Sequence, residues 1–339
     1  MNADTLIKTA QAMVESGKGV LAADESTGTI KKRFDSINVE SVEETRRAYR
    51  DMLFTTPGME DFVSSVILFE ETLYQKSSDG TPFSKLLADK GVIPGIKVDK
   101  GAKPLAGAEG ETVTEGLDGL RERLIEYRKA GARFAKWRAV ITIGDGIPTD
   151  YCIQANAHAL ARYAALCQEQ DIVPIVEPEV LMDADNSIEV CEDVTSRTLQ
   201  AVFAELDKQG VLLEGMLLKP NMVISGKKCP TQADVQTVAE ATVRTLKRYV
   251  PSAVPGIVFL SGGQSDELAT AHLDAMNKIG DLPWALSFSY GRALQAPALA
   301  AWGGKNENVA AGQRAFFHRA KCNSAAAKGE YTSAMEQAA

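Results

Sequence analysis

Histidine and cysteine are scarce in this chain, and their scarcity excludes whole classes of chemistry. Its 339 residues carry three histidines, His158, His272 and His318, none near another in sequence. They offer no H-x-x-x-H pair or Cys/His cluster of zinc-ligand spacing, and no Ser-His-Asp signature is visible. The five cysteines, Cys152, Cys167, Cys191, Cys229 and Cys322, are dispersed and form no C-x-x-C pair. That argues against a disulfide framework and for a reducing compartment. No apolar run approaches the roughly 18–20 residues of a membrane span, and the opening stretch lacks the apolar core and cleavage site of a signal peptide. A cytoplasmic protein without membrane partners is expected. A basic surplus is missing too: the net charge is −8, which argues against nucleic acid as a partner. No Gly-x-Gly-x-x-Gly follows the first candidate strand, which weakens a dinucleotide reading. Neither a metal nor another cofactor is expected. Pro- or Ser-rich linkers and low-complexity segments are also absent, so residues 1–339 read as one domain. An amphipathic helix over 3–16 precedes it, and a helical segment and tail over 306–339 ends it.

What the chain does have is a rhythm. Short apolar runs recur at 19–24, 65–71, 93–99, 134–140, 172–179, 215–221, 256–263 and 284–291, eight in all. Helical patterns separate them. One, "SVEETRRAYRDML", opens with an expected capping box from Ser41 to Glu44. Another repeats Leu117, Leu120, Leu124 and Tyr127 at helical spacing and stops at Gly131. Strands alternating with helices give a parallel sheet, and eight such units point to a closed (β/α)8 barrel of the TIM type, an α/β fold. A doubly wound open sheet is the structural alternative.

Alternate residues of a barrel strand point inward, so the charges can be tested for parity. Val20, Ala22 and Asp24 share one face of the first run. So do Gly95, Lys97 and Asp99, then Phe134, Lys136 and Arg138, then Val173, Ile175, Glu177 and Glu179, then Gly215, Leu217 and Lys219. Each series starts apolar and ends charged, at the end where barrel enzymes carry their sites. A lysine amine is a nucleophile only when neutral, and an apolar site with a neighbouring cation favours that form. Lys219 beside Lys136 therefore suits imine chemistry, and a structural ion pair of Lys219 with Glu177 or Glu179 is the plain alternative. The two glutamates suit the acid and base roles that imine formation needs. Ser261, Gly262 and Gly263 follow the seventh run, and Ser289, Tyr290, Gly291 and Arg292 end the eighth, where barrels often hold phosphate. Ser26, Lys32, Arg33 and Lys97 offer a second cationic group, unless "KKR" is only a solvated helix end.

The stretches "LAADESTGTIKKRF", "IKVDKG", "FAKWR", "IVEPE", "LLKPNMV", "FLSGGQS" and "FSYGRALQ" run collinearly from about Gly17 to Tyr331. Together they resemble the class I fructose-bisphosphate aldolases, the metal-free family of glycolysis and gluconeogenesis. The resemblance implies a TIM barrel, reversible cleavage of fructose 1,6-bisphosphate, and a homotetramer. It implies Lys219 as the Schiff-base lysine, Glu177 as acid/base with Glu179 assisting, Lys136 tuning the site, and Asp24 taking the C4 hydroxyl proton. Ser261, Gly262 and Arg292 would hold the C1 phosphate, and Ser26, Arg33 and Lys97 the C6 phosphate. The rival readings are a related Schiff-base lyase preferring sedoheptulose bisphosphate or fructose 1-phosphate, and a non-catalytic phosphosugar-binding barrel. One departure stands out: many eukaryotic members end in a mobile tail with a terminal tyrosine that helps protonate the enamine. The last tyrosine here, Tyr331, matches the body before that tail.

Overall fold

Each apolar run yields a strand, shorter or longer as its backbone donors allow. The computed structural model describes residues 1–337. Its strands are β1 (Gly19–Ala23), β2 (Val63–Leu68), β3 (Ile93–Lys97), β4 (Ala102–Pro104), β5 (Thr112–Thr114), β6 (Phe134–Ile141), β7 (Val173–Val180), β8 (Leu217–Leu218), β9 (Gly256–Phe259) and β10 (Ala285–Tyr290). Eight of these close a parallel barrel in the order β1-β2-β3-β6-β7-β8-β9-β10. β4 and β5 form a separate antiparallel hairpin, which the eight-run reading did not contain. The hairpin is fastened to the edge of β6: Thr114 Oγ1 donates to the Arg138 carbonyl at 2.7 Å and Thr112 Oγ1 to that of Val140 at 3.2 Å.

β8 is the short strand. Gly215 lies in a 3-10 turn rather than on the strand, and Pro220 has no N–H to donate. The ladder nevertheless reaches Lys219, whose N–H donates to the Val176 carbonyl at 2.8 Å. The capping box at Ser41 is not formed. The helix spans Glu43–Phe54, Thr45 Oγ1 accepts from the Val42 N–H at 3.1 Å, and Glu44 pairs with Arg47 at 2.6 Å. The first helix covers Ala3–Met13, not 3–16, and the helix before Gly131 spans Leu120–Lys129, leaving Leu117 outside. The C-terminal segment is the helix Val309–Ala327 between short 3-10 turns. Among the described residues no helix is long and apolar enough to cross a membrane.

The core has two layers. Inside the barrel, Val20, Ala22, Ile67, Phe134, Val173, Ile175, Leu217 and Val258 pack with Leu6, Ala10 and Met13 of the first helix, which stoppers the N-terminal end. Outward-facing residues such as Trp137, Val176, Leu218, Phe259 and Tyr290 pack beneath the surrounding helices. Each such fully buried side chain contributes about 1.5–3 kcal/mol. With the lower barrel filled by apolar groups, the next inward positions on β6 and β7, Lys136 and Glu177, and those just beyond β1 and β8, Asp24 and Lys219, open onto the C-terminal mouth.

Candidate active site

The parity reading of the strands brings its charged residues together. A cleft at the C-terminal mouth is lined by Asp24, Ser26, Arg33, Lys97, Lys136, Arg138, Glu177, Glu179, Lys219, Ser261, Gly262, Ser289, Gly291 and Arg292. At its floor Lys136 Nζ lies 2.7 Å from Asp24 Oδ2 and 3.3 Å from Glu177 Oε2. Lys219 Nζ lies 3.2 Å from the other oxygen of Glu177. The nucleophile reading and the ion-pair reading of Lys219 are thus one geometry, since the carboxylate that pairs with the ammonium can also take its proton. Lys136, Glu177 and Lys219 are each no more than 4% exposed.

Charge states follow from this packing. Burial alone would raise the pKa of Asp24, but Lys136, Lys219 and Lys97 outweigh it and hold the carboxyl well below the usual range. For Lys136 burial pulls downward, and Asp24, Glu177 and Asp99 overcome it, pushing the ammonium's pKa up. Lys136 is therefore a fixed cation and Asp24 a fixed anion at neutral pH. The two glutamates sit differently. Glu179 is claimed by Arg138, whose Nε donates to it, and whose own pKa rises because the Glu179 charge more than offsets the cost of burial. Glu177 Oε2 has the Lys136 charge nearby but no aligned hydrogen bond, leaving it free for a reacting group.

The cleft walls come from the strand-end loops. Lys97 is tethered to Asp99, at 2.7 Å from Oδ1 and 2.9 Å from the backbone carbonyl. Asp99, on the inward face in the sequence reading, also accepts from the Arg138 N–H at 3.2 Å. Ser26 caps the helix Thr27–Asp35, its Oγ accepting from the Thr29 N–H. Gly262 and Gly263 adopt φ of +59° and +83°, a turn that residues with a Cβ enter with strain. Ser289 Oγ is buried without a partner among the described residues.

Three expectations need correction. Tyr290 does not face the cleft: by the same alternation that turns Ser289 inward, its ring packs outward against Phe288 and its hydroxyl donates to the Ala269 carbonyl at 2.9 Å. Lys32 is exposed and does not line the cleft, while Gly263 stands at its rim beside Gly262. Arg33 is not set apart from the loop after β10. Its guanidinium lies 3.6 Å from where a Cβ on Gly291 would stand and pairs with Glu25.

Glu25 is the residue that sequence reasoning missed. It lines the cleft, bridges Arg33 to the buried Arg50 at 2.6 Å, and accepts from Gln295 Nε2 at 3.0 Å. Parity placed it on the outward face of β1, and only its position beside Asp24 in "AADES" hinted at a role. The histidines stay outside the cleft. His318 comes together with Cys322 and Glu336, ligand atoms within 4.8 Å of one another, a grouping the spacing did not suggest. Arg319 Nη1 already engages Glu336 there, 2.6 Å from Oε1. Tyr331 is also outside the cleft, its hydroxyl donating to Glu336 at 2.9 Å.

The arrangement combines two buried lysines with two carboxylates, under walls rich in cations. Known proteins resemble the chain along its length. A family profile described as fructose-bisphosphate aldolase class-I matches residues 5–339. A probable fructose-bisphosphate aldolase class 1 of Xanthomonas campestris pv. campestris is 60% identical over 332 residues, covering 98% of this chain and 99% of the relative. The cytosolic fructose-bisphosphate aldolase 5 of Arabidopsis thaliana is 60% identical over 331 residues, covering 97% of this chain and 92% of its own. The solved structure of a Plasmodium falciparum fructose-bisphosphate aldolase superposes with a TM-score of 0.96 at 55% identity, covering 98% of this chain and 97% of that one. Lysine, carboxylates and barrel thus occur in a chain alike from end to end with these enzymes, and it belongs to the class I fructose-bisphosphate aldolases.

Proposed function

We propose that the chain cleaves fructose 1,6-bisphosphate reversibly into dihydroxyacetone phosphate and glyceraldehyde 3-phosphate through an imine at Lys219. The observation that carries this is Glu177 set between Lys219 at 3.2 Å and Lys136 at 3.3 Å. A proton passed from the Lys219 ammonium to Glu177 creates two reagents at once, a free amine and a carboxylic acid. The amine adds to the C2 carbonyl of the open-chain sugar, and Glu177 protonates the carbinolamine hydroxyl so that water leaves. Asp24, ionised against its burial, takes the C4 hydroxyl proton as the C3–C4 bond breaks. The bond's electron pair flows into the iminium, giving an enamine and the free aldehyde. Protonation of the enamine at C3 and hydrolysis return Lys219 and release dihydroxyacetone phosphate.

Phosphate binding is assigned by chemistry. The Ser261–Gly262 turn, Gly291 and Arg292 take the C1 phosphate, where backbone donors and a guanidinium converge. Lys97 and Ser26 take the C6 phosphate. Arg33, beside Gly291, serves the β10 side, with Glu25 holding its guanidinium. Cations on both walls favour the bisphosphate over fructose 1-phosphate. A homotetramer in the cytoplasm, working in glycolysis and gluconeogenesis, accords with the family. Borohydride with dihydroxyacetone phosphate should inactivate the protein and label Lys219, and activity should survive EDTA. A label mapped to another residue, or a chelator-sensitive rate restored by zinc, would overturn the reading.

A further inference from the structure

Arg292 is not the only cation aimed at the glycine turn after β9. A Cβ built on Gly263 would stand 2.7 Å from Arg292 Nη2 and 2.6 Å from Lys227 Nζ. An ammonium and a guanidinium therefore reach into one small space above the turn. Lys227 belongs to the loop after β8 and lies at the cleft rim, outside the lining residues. Like charges this close repel unless an anion answers them, so the space above the turn suits an anion.

The placement is not a wandering side chain. Three backbone hydrogen bonds zip the Lys227 loop to the loop after β7: Gly226 N–H to Asn186 O at 2.9 Å, Lys227 N–H to Met182 O at 2.7 Å and Lys228 N–H to Ala184 O at 3.0 Å. The approach is so close that a Cβ on Gly226 would stand 2.2 Å from the Ala184 oxygen. Lys227 thus starts from a fixed base, with its ammonium turned to Gly263. Its ion-pair partner is Asp183, Oδ1 at 3.1 Å on the same pair of loops, and that carboxylate is 65% exposed.

We infer that Lys227 is a further substrate-binding residue: with Arg292 and the Gly262–Gly263 turn it grips the C1 phosphate, and Asp183 holds its ammonium in the resting protein. The inference rests on the assignment of the C1 phosphate to that turn. When phosphate arrives, the ammonium exchanges the exposed Asp183 for a dianion also held by Arg292. Asp183 is the competitor and Lys228, exposed on the same loop, is the charge-matched control.

The test measures kcat and KM for fructose 1,6-bisphosphate and fructose 1-phosphate, and the Kd of dihydroxyacetone phosphate in a lysine-blocked Lys219→Met background, in Lys227→Met, Lys228→Met, Asp183→Asn and Arg292→Ala. Lys227→Met should raise KM for both sugars and the Kd about 5-fold, leave kcat within 2-fold, and flatten the fall of kcat/KM with ionic strength. Asp183→Asn should lower KM, and Lys228→Met should change nothing. Equal effects of Lys227→Met and Lys228→Met, or a loss confined to the bisphosphate, would overturn the inference. If Arg292→Ala also left the Kd unchanged, the phosphate turn itself would be misassigned. If Arg292→Ala weakened binding and Lys227→Met did not, only the role of Lys227 would fall.

Discussion

Replacing Lys136 with methionine removes the cation that lies against both Asp24 and Glu177 and keeps most of the side-chain volume. At an effective dielectric of about 20, charges separated by 2.7 Å and 3.3 Å attract by about 6 and about 5 kcal/mol. Desolvating three ions offsets most of that attraction, so the net cost is smaller than the sum. Removing one partner of a buried ion pair typically costs roughly 3–5 kcal/mol, because the other charge stays buried and unanswered. The Lys136→Met protein should accordingly unfold at lower urea. Its Asp24 carboxyl, stripped of the nearest of its cations, should rise in pKa, moving the acid limb of any residual rate to higher pH. Asp24 and Glu177 would both lose the cation that lies against them, so proton abstraction and imine formation both suffer. A fall in kcat of about 10²–10⁴-fold is expected. Coupled triose-phosphate release gives the rate, borohydride trapping gives the imine, and circular dichroism in urea reports whether the barrel is intact. A variant that kept its rate within 10-fold, with an unmoved urea midpoint, would refute the claim that Lys136 holds this site together.

The glutamates should differ: Glu177→Gln should lower kcat about 10²–10⁴-fold, while Glu179→Gln, which only frees Arg138, should do less, and equal losses would reverse the assignment. Lys97→Met should lower kcat/KM for fructose 1,6-bisphosphate about 10-fold or more and spare fructose 1-phosphate, the difference a charge-assisted contact to one phosphate carries. His272 gives a pH signature. Burial pushes its pKa down from 6.5 to about 4, so between those values the unfolded chain binds the extra proton. Stability should fall as pH drops from about 6.5 to 4, by at most about 3 kcal/mol, and His272→Asn should flatten that slope in urea titrations. An unchanged slope would mean that His272 is protonated in the fold.

Regular strands made the candidate catalytic residues legible. Lys219, Lys136 and Glu177 sit where alternation carries an apolar series out of the packed core, so counting by twos from Leu217, Phe134 and Ile175 reaches them. Where the backbone leaves that regime, the sequence is mute. Glu25 follows β1 on the outward parity, and its side chain is turned to the cleft by Arg33, Arg50 and Gln295, partners up to 270 residues away. Tyr290 belongs to a motif whose neighbours line the cleft, yet alternation sends its ring to the outer core. The Ser41 capping pattern lost to Thr45, which caps from inside the first turn. Lys227 reaches its position through loop-to-loop hydrogen bonds that no periodicity encodes.

The stopper helix at the barrel's N-terminal end has a consequence for how the chain is made. Leu6, Ala10 and Met13 leave the ribosome well before Leu217 and Val258, with which they pack. At roughly 5–20 residues per second, the about 250 residues between them take on the order of 10–50 s to synthesise. Throughout that interval an apolar helix face is without its final partners, and β1 lacks β10, the strand that closes the ring. The nascent chain must therefore carry a sticky helix face until β8 and β9 have emerged, and chaperone dependence should be concentrated there.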